Sequence, residues 1–509
     1  MAELGIVLAC LAAGALAALR WLRIVQRDQY YPAAVRFARR WWLGMPVNLV
    51  LLGVAVVGAL LAPVTPWAAL LTAAAAAVGP LGLSVRGRTA PLAWSRRLVR
   101  LAIVLLLVNT VLLAVVTLVA VVLELAPLHA LVVGGAQLAL LQPVIVDLAG
   151  AISRPIEARL MRVFVGRATR RLRQVGPTVV AITGSYGKTT TKGYVRQLVA
   201  PVRTVVASPA SYNNTGGLAR AINEQLLPGT DVFVAEMGTY GRGEIAELCR
   251  WCPPDVAVIT AIGPVHLERM GSEENITAAK AEILERARVA VLNVDSPHLA
   301  ELAAGRTAAG RKVVRCSGAS PDADVAVVDG EVRVGGRMVG TSGGGHPTNV
   351  ACAVAAALEV GVAEDDLAAR LGGLPTAQHR LTVSTTASGA TVIDDTYNAN
   401  PAGAARALEA LARHGAPGKL RVVVTPGMVE LGGRQHEENA RFAEAAAEAA
   451  THLLVVGHTN RRALLEGAAG RGARVVPVET REQAVAWVRD HVGEGDAVLY
   501  ENDLPDHFP

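Results

Sequence analysis

Lysine is nearly missing from this 509-residue chain: only Lys188, Lys192, Lys280, Lys312 and Lys419 occur among abundant arginines. A guanidinium stays charged at neutral pH, whereas a lysine amine can lose its proton, so Lys280, on an expected helix, is a candidate for chemistry, with a solvated helix-face lysine as the alternative. Cysteine is scarce as well. Cys10, Cys249, Cys252, Cys316 and Cys352 cannot build a disulfide framework in a reducing compartment. Cys249-Arg-Trp-Cys252 has no second pair and no histidine at ligand spacing, so two cysteines at a helix end are expected, not a zinc or redox site. No basic residue precedes the first apolar stretch, which argues against a cleavable signal peptide. No internal repeat is evident, and the Ala-rich segments are helix formers.

Apolar length is what the chain has in excess. Hydrophobic residues make up 52% of it and the mean hydropathy is +0.37, high for a soluble enzyme. Length alone suggests about three or four domains. The excess lies in the first 150 residues, as runs at roughly 3–19, 44–62, 66–84, 101–124 and 129–150. Each approaches or exceeds the ~18–20 residues that cross a bilayer as a helix. The run containing Gly79-Pro80 reads as either a kinked span or a re-entrant piece.

Charge orients these runs. Arg20, Arg23, Arg27, Arg36, Arg39 and Arg40 follow the first run; Arg86, Arg88, Arg96, Arg97 and Arg100 follow the third. Arg154, Arg159, Arg162, Arg167, Arg170, Arg171 and Arg173 follow the fifth. The other turns carry no Lys or Arg. The positive-inside rule then predicts five spans in the inner membrane, the N-terminus outside and everything after residue 150 in the cytoplasm. The net charge of +6 and pI near 9.2 come largely from arginines beside membrane runs, where anionic headgroups and not nucleic acid are the expected partner. Residues 151–175 read as a basic juxtamembrane helix along the inner leaflet.

The stretch Val179–Thr190 reads as an apolar strand, a glycine turn and a helix start. Gly184-Ser-Tyr-Gly187-Lys188-Thr189-Thr190 has the composition of a phosphate-binding loop two residues shorter than the usual G-x-x-x-x-G-K-T. Backbone N–H groups of such a turn cradle phosphate, Lys188 offsets its charge and a threonine hydroxyl can hold Mg²⁺. An ATP site is expected.

From residue 176 short β-branched runs alternate with Ala-rich helical stretches. Strands are expected at 178–183, 204–208, 231–236, 255–260, 289–293 and 312–316, the pattern of a doubly wound α/β sheet with ligands at the strand carboxyl ends. Residues 317–345 read as small hairpins. A second block predicts strands at 391–394, 421–425, 452–456, 474–477 and 496–500. The expected domains are a transmembrane helical domain (1–150), the basic linker (151–175), a central ATP-binding domain (176–376) and a smaller C-terminal α/β domain (377–509).

Several polar residues stand where a core would not want them. Glu236 ends an apolar strand beside the loop and suits Mg²⁺ binding; a solvated acid is the alternative. His266 and Lys280 follow the next strand, each with a plain structural alternative. Asn213-Asn214-Thr215 either contacts an acceptor or caps a helix. Asp394-Asp395-Thr-Tyr397-Asn398-Ala-Asn400-Pro401 suggests a site facing the central domain, or an Asx-rich turn.

In order, Thr183–Thr190, Asn213-Asn214, Glu236-Met-Gly238, His266-Leu-Glu268, Lys280-Ala-Glu282, Asp394–Pro401 and Met428-Val-Glu-Leu-Gly432 resemble the Mur ligase family over about residues 176–470. The resemblance is strongest to the branch that adds D-alanyl-D-alanine to a UDP-muramyl tripeptide. It implies that Gly184, Ser185, Tyr186, Gly187, Lys188 and Thr190 bind ATP phosphates, with Thr189 and Glu236 at Mg²⁺. It implies a second Mg²⁺ at His266 and a carbamylated Lys280, adenosine contacts from Asn349 and Asp395, and Arg380 reaching the phosphates. Asn213, Asn214, Thr215, Tyr397, Asn398 and Asn400 become substrate contacts. The implied chemistry activates a carboxylate as an acyl phosphate, which an amine then attacks.

The chain also departs from the family. Membrane runs stand in place of the UDP-sugar domain, Ala261 and Gly427 replace a common Asn and Asp, and the ending Leu499-Tyr-Glu-Asn-Asp replaces Lys-Gly-Ser. The expected protein is a membrane-anchored, ATP- and Mg²⁺-dependent carboxylate–amine ligase. Its acceptor is expected to be peptide-like or an amino-acid polymer, free or attached to a lipid carrier, and UDP-muramyl tripeptide is not the expected substrate. A polyglutamate-type synthetase and a membrane transporter or regulatory ATPase remain alternatives.

Overall fold

The computed structural model describes residues 2–28, 30–85, 91–265, 267–374, 382–386, 388–396 and 400–504. The chain forms two compact units, one built mainly from residues 1–160 and the other from residues 161–456 and 460–502.

The first unit is helical: α1 (Ala2–Arg27), α2 (Ala34–Leu43), α3 (Pro46–Leu61), α4 (Ala69–Val78), α5 (Arg96–Val122) and the first part of α6 (Pro127–Val175). Among the described residues three helices, α1, α5 and α6, are long and apolar enough to cross a membrane; counting the pair α2 and α3, bent by 109°, as one gives four. The run expected at 66–84 is realised as a single 3-10 turn and the 10-residue α4, shorter than a bilayer needs. α3 and α4 pack as a close hairpin. Thr72 Oγ1 donates to Ala55 O at 2.8 Å, and Asn48 joins the hairpin's two ends through Leu81 N (2.7 Å) and Leu81 O (3.2 Å). Arg20 is buried for a reason beyond topology. Its guanidinium donates to Ala76 O, Ala77 O and Gly79 O, carbonyls that the end of α4 leaves orphaned, and to Leu83 O in the segment beyond it.

α6 is one 49-residue helix, so no break separates the fifth apolar run from the basic stretch expected after it. Its last turns belong to the second unit, where Ala168 and Leu172 are buried in the α/β core and Phe164 packs half-buried against it.

The second unit contains two sheets. The larger has the order β2-β3-β1-β4-β5-β6-β7-β8-β9. Its strands are β1 (Thr178–Thr183), β2 (Val205–Ala207), β3 (Val232–Glu236), β4 (Val256–Ile259), β5 (Val289–Asn293), β6 (Lys312–Ser317), β7 (Val325–Val328), β8 (Glu331–Val334) and β9 (Arg337–Thr341). β1 to β7 pair in parallel, and β8 and β9 add an antiparallel edge. The hairpins expected at 317–345 therefore extend this sheet. Its central strands are buried on both faces, which is why they read as continuous β-branched runs. Val180 and Ile182 are fully buried on one face, each stabilising the fold by roughly 1.5–3 kcal/mol.

The smaller sheet has the order β10-β11-β15-β12-β13-β14. It comprises β10 (Thr382–Thr385), β11 (Thr391–Asp395), β12 (Arg421–Thr425), β13 (His452–Val456), β14 (Arg474–Val478) and β15 (Ala497–Glu501), with β10 alone antiparallel. β10 was not expected from the sequence. Its four residues are all exposed and lie on the sheet edge.

Candidate active site

In the larger sheet β1 lies between β3 and β4, so the strand order reverses beside it and a crevice opens at the carboxyl ends. The loop after β1 fills that crevice and leads into helix α7 (Lys188–Val199). Gly187 has φ +80°, and a Cβ there would collide with Asn349 Oδ1. That close approach brings Asn349, from the helix Pro347–Glu359, against the loop. Gly184 meets Thr260 in the same way. Ser185 locks the loop to the end of β4: its hydroxyl donates to Gly263 O at 3.1 Å and accepts from Gly263 N at 3.0 Å. Lys188 Nζ donates to Gly184 O at 2.7 Å, closing over the turn.

β3 pairs with β1 so that Glu236 lies opposite Ile182, which delivers its carboxylate beside α7. Glu236 Oε2 accepts from Thr189 Oγ1 at 2.9 Å and from Lys192 Nζ at 2.8 Å, while Oε1 accepts from Asn213 Nδ2 at 3.2 Å. Burial pushes the Glu236 pKa up, but the Lys192 ion pair, the Lys188 charge and the Asn213 hydrogen bond outweigh it and hold it below the usual carboxylate range. Lys192 is the residue sequence reasoning missed. It is buried, it also donates to Pro209 O at 3.2 Å, and the lysine scarcity that singled out Lys280 applied equally to it.

Lys280, in the helix Glu273–Ala281, is 4% exposed. Burial first, and then the charge of Lys188, hold its pKa well below the ordinary lysine value. An amine in that state spends more of its time neutral and nucleophilic. A hydroxyl and a buried carboxylate are hard oxygen donors of the kind Mg²⁺ takes, so Thr189 and Glu236 fit such an ion chemically.

A cavity of about 800 Å³ opens beside the loop. Tyr186, Gly187, Thr190 and Asn349 line it from the central domain and Asp395, Asn400 and Arg406 from the smaller one. Asp295, not expected from sequence, borders it and accepts from Gly318 N at 2.7 Å and Thr348 Oγ1 at 3.0 Å. The remaining predicted residues divide. Asn214 is the N-cap of α8 (Thr215–Gln225), accepting from Gly217 N at 2.9 Å, and Thr215 opens that helix. Asn400 likewise caps the helix Pro401–His414, yet also faces the cavity. His266, Arg380, Tyr397 and Asn398 lie outside the described residues. Cys249 and Cys252 are buried, and burial pushes the Cys249 thiol up to about 12, the state of an inert core thiol.

A switch-point crevice holding a glycine loop, a lysine and a strand-end acid defines a P-loop nucleotide-binding α/β protein. Residues 182–352 match the Mur ligase middle domain, and residues 379–500 match the Mur ligase glutamate ligase domain. The UDP-N-acetylmuramoyl-tripeptide–D-alanyl-D-alanine ligase of Mycobacterium bovis is 35% identical over 367 residues, 64% of this chain and 70% of that protein. Among solved structures, MurF from Acinetobacter baumannii superposes with a TM-score of 0.58 at 25% identity, covering 67% of this chain and 77% of that one. MurF ligase from Thermotoga maritima in complex with ADP gives a TM-score of 0.55 at 27% identity, covering 67% and 80%. The chain belongs to the Mur ligase family, and it is an ATP-dependent ligase.

Proposed function

We propose that this protein is a membrane-anchored ligase that joins the carboxylate of a peptide-like cell-envelope acceptor to an amine at the cytoplasmic face. The observation that carries the reading is the convergence at one crevice of Lys188, Thr189, Glu236 and a buried Lys280. These are the positions the family resemblance assigns to phosphoryl transfer.

In this reading the backbone N–H groups of residues 184–190 and Lys188 bind the ATP phosphates, and Asn349 and Asp395 hold the adenosine. The acceptor carboxylate attacks the γ-phosphorus and ADP leaves; the amine nitrogen then attacks the acyl phosphate carbonyl, and phosphate leaves with loss of a proton. Thr189 and Glu236 would hold one Mg²⁺, with Lys280, as its carbamate, and His266 at a second. Bound metal would neutralise charge on the transferring phosphoryl group. Lys192 holds the Glu236 carboxylate in place, and Lys188 lowers the proton affinity of Lys280, favouring the neutral amine that carbamylation requires.

Membrane anchoring is supported by α1, α5 and α6 together with the arginine distribution. Only 6% of the most apolar stretch of α5 is buried, which suits a lipid-facing helix. If α3 and α4 both cross, there are five spans; if they re-enter as a hairpin, there are three. Either way both ends of the hairpin stay on the arginine-rich side, so the N-terminus is outside and the ligase domains are inside. The Mycobacterium bovis relative is named for joining UDP-N-acetylmuramoyl-tripeptide to D-alanyl-D-alanine. Here an acceptor tethered to the bilayer, such as a lipid-linked peptide, matches a catalytic unit held at its surface. Mass spectrometry of lipid-linked and nucleotide-linked peptides in cells lacking the protein tests this: accumulation of an unextended lipid-linked acceptor supports it, and accumulation of a soluble nucleotide-linked one alone opposes it.

A further inference from the structure

Glu501 is the most anomalous buried group in the smaller domain. It ends β15, is 1% exposed, and both carboxylate oxygens are buried with no donor among the described residues to accept from. An ionised carboxylate left that way is strongly disfavoured, so the group must be neutral or must share a proton.

Its neighbour supplies the second acid. β11 and β15 run parallel with Asp395 opposite Glu501, a separation of about 4.8 Å between adjacent strands. Two residues earlier in each strand, Ile393 and Leu499 enter one buried cluster, so alternation along the strands directs Asp395 and Glu501 to that same face. Asp395 is 8% exposed and borders the cavity that Gly187 and Asn349 line from the other side. Glu501 does not border it. Two adjacent carboxyl groups out of water hold one proton between them, and burial and the Asp395 charge both push the Glu501 pKa well above the usual range. Glu501 is the more deeply buried of the two and stands away from the cavity, so the proton belongs on it and Asp395 stays ionised at the cavity wall.

We infer that Glu501 is a positioning residue of the nucleotide site: its neutral carboxyl donates a hydrogen bond to Asp395 and fixes that carboxylate to accept hydroxyl groups of the nucleotide sugar. This rests on the nucleotide reading of the cavity. Glu501 itself touches no ligand.

The test uses the full chain in detergent with ADP as probe, combining binding calorimetry, urea unfolding and ATP kinetics. Glu501→Gln keeps a donor and should bind ADP within about twofold of wild type. Glu501→Leu should unfold at equal or higher urea, because an apolar isostere relieves a buried acid. Its ADP affinity should nevertheless fall about tenfold, the scale of one hydrogen bond to a charged group. KM for ATP should rise in parallel with kcat changed less than about twofold. Asp395→Asn should lose a similar factor, and the double variant should be no worse than Asp395→Asn alone.

Wild-type ADP affinity in Glu501→Leu, or equal losses in the Gln and Leu variants, overturns the assignment. Should Glu501→Leu fail to fold, the Gln variant decides: near-wild-type KM supports positioning and a tenfold rise refutes it. A wild-type chain that binds no ADP, or binding untouched by Gly187→Ala, instead overturns the nucleotide reading of the cavity.

Discussion

Lys192 Nζ stands 2.8 Å from Glu236 Oε2, with the two side chains 7% and 3% exposed. Truncating one partner of a buried pair leaves the other uncompensated and costs about 3–5 kcal/mol. Lys192→Met should therefore lower the urea midpoint sharply, and Lys192→Met with Glu236→Gln should recover much of the loss. Glu236 has a depressed pKa, so the stability it contributes is present above the unfolded carboxylate pKa and is lost as pH falls through the folded one. Acid unfolding of wild type and Glu236→Gln measures that contribution; coincident acid profiles would contradict it.

Lys280 predicts a slope of the same sign, displaced to higher pH. Its folded pKa lies well below the ordinary lysine value, so between the two the unfolded chain binds more protons and stability rises with pH. The limiting slope is about 1.4 kcal/mol per pH unit. Urea midpoints of wild type should climb toward pH 10 while those of Lys280→Met stay flatter. Lys280→Arg should abolish amide formation, since guanidinium cannot be carbamylated, and wild-type activity should fall in buffer stripped of carbon dioxide.

Gly187 is held at φ +80° against Asn349. Alanine there meets a left-handed strain of roughly 1–2 kcal/mol in addition to the collision. Gly187→Ala should weaken ADP binding by at least tenfold in calorimetry and should also lower the unfolding midpoint, by the roughly 1–2 kcal/mol of that strain or more.

All five native cysteines are buried, which leaves a quiet background for labelling. Val64, 82% exposed in the turn between α3 and α4, and Asp322, exposed before β7, then report topology. Asp322→Cys should react with an impermeant maleimide only after lysis. Val64→Cys reacts in intact cells if α3 and α4 both cross, and resists if they re-enter. Labelling of Asp322→Cys in intact cells would reverse the proposed orientation.

Much of the ligase half was legible because its strands are buried on both faces and read as unbroken β-branched runs. β1, β5, β12 and β13 begin and end where the sequence predicts. β10 was illegible because Thr382–Thr385 is wholly exposed and gains strand character only by pairing with β11. Residues 317–345 read as free hairpins because turn chemistry is local; that β7 joins β6 depends on packing against the helix Pro347–Glu359. In the site, the glycine loop carried its own signal. The Lys192–Glu236 pair spans 44 residues and exists only through the β1–β3 register, and Glu501 looks like an ordinary strand-end acid until Asp395 is set beside it.

The account stands most directly on whether ATP is spent to activate a carboxylate. Full-length protein in detergent, with ATP, Mg²⁺ and a panel of peptide-like acids, should release ADP only when a competent acid is present. Hydroxylamine should then trap a hydroxamate, and an amine substrate should divert that product to the amide. ADP released at the same rate without any acid, and no hydroxamate from any member of the panel, would contradict it.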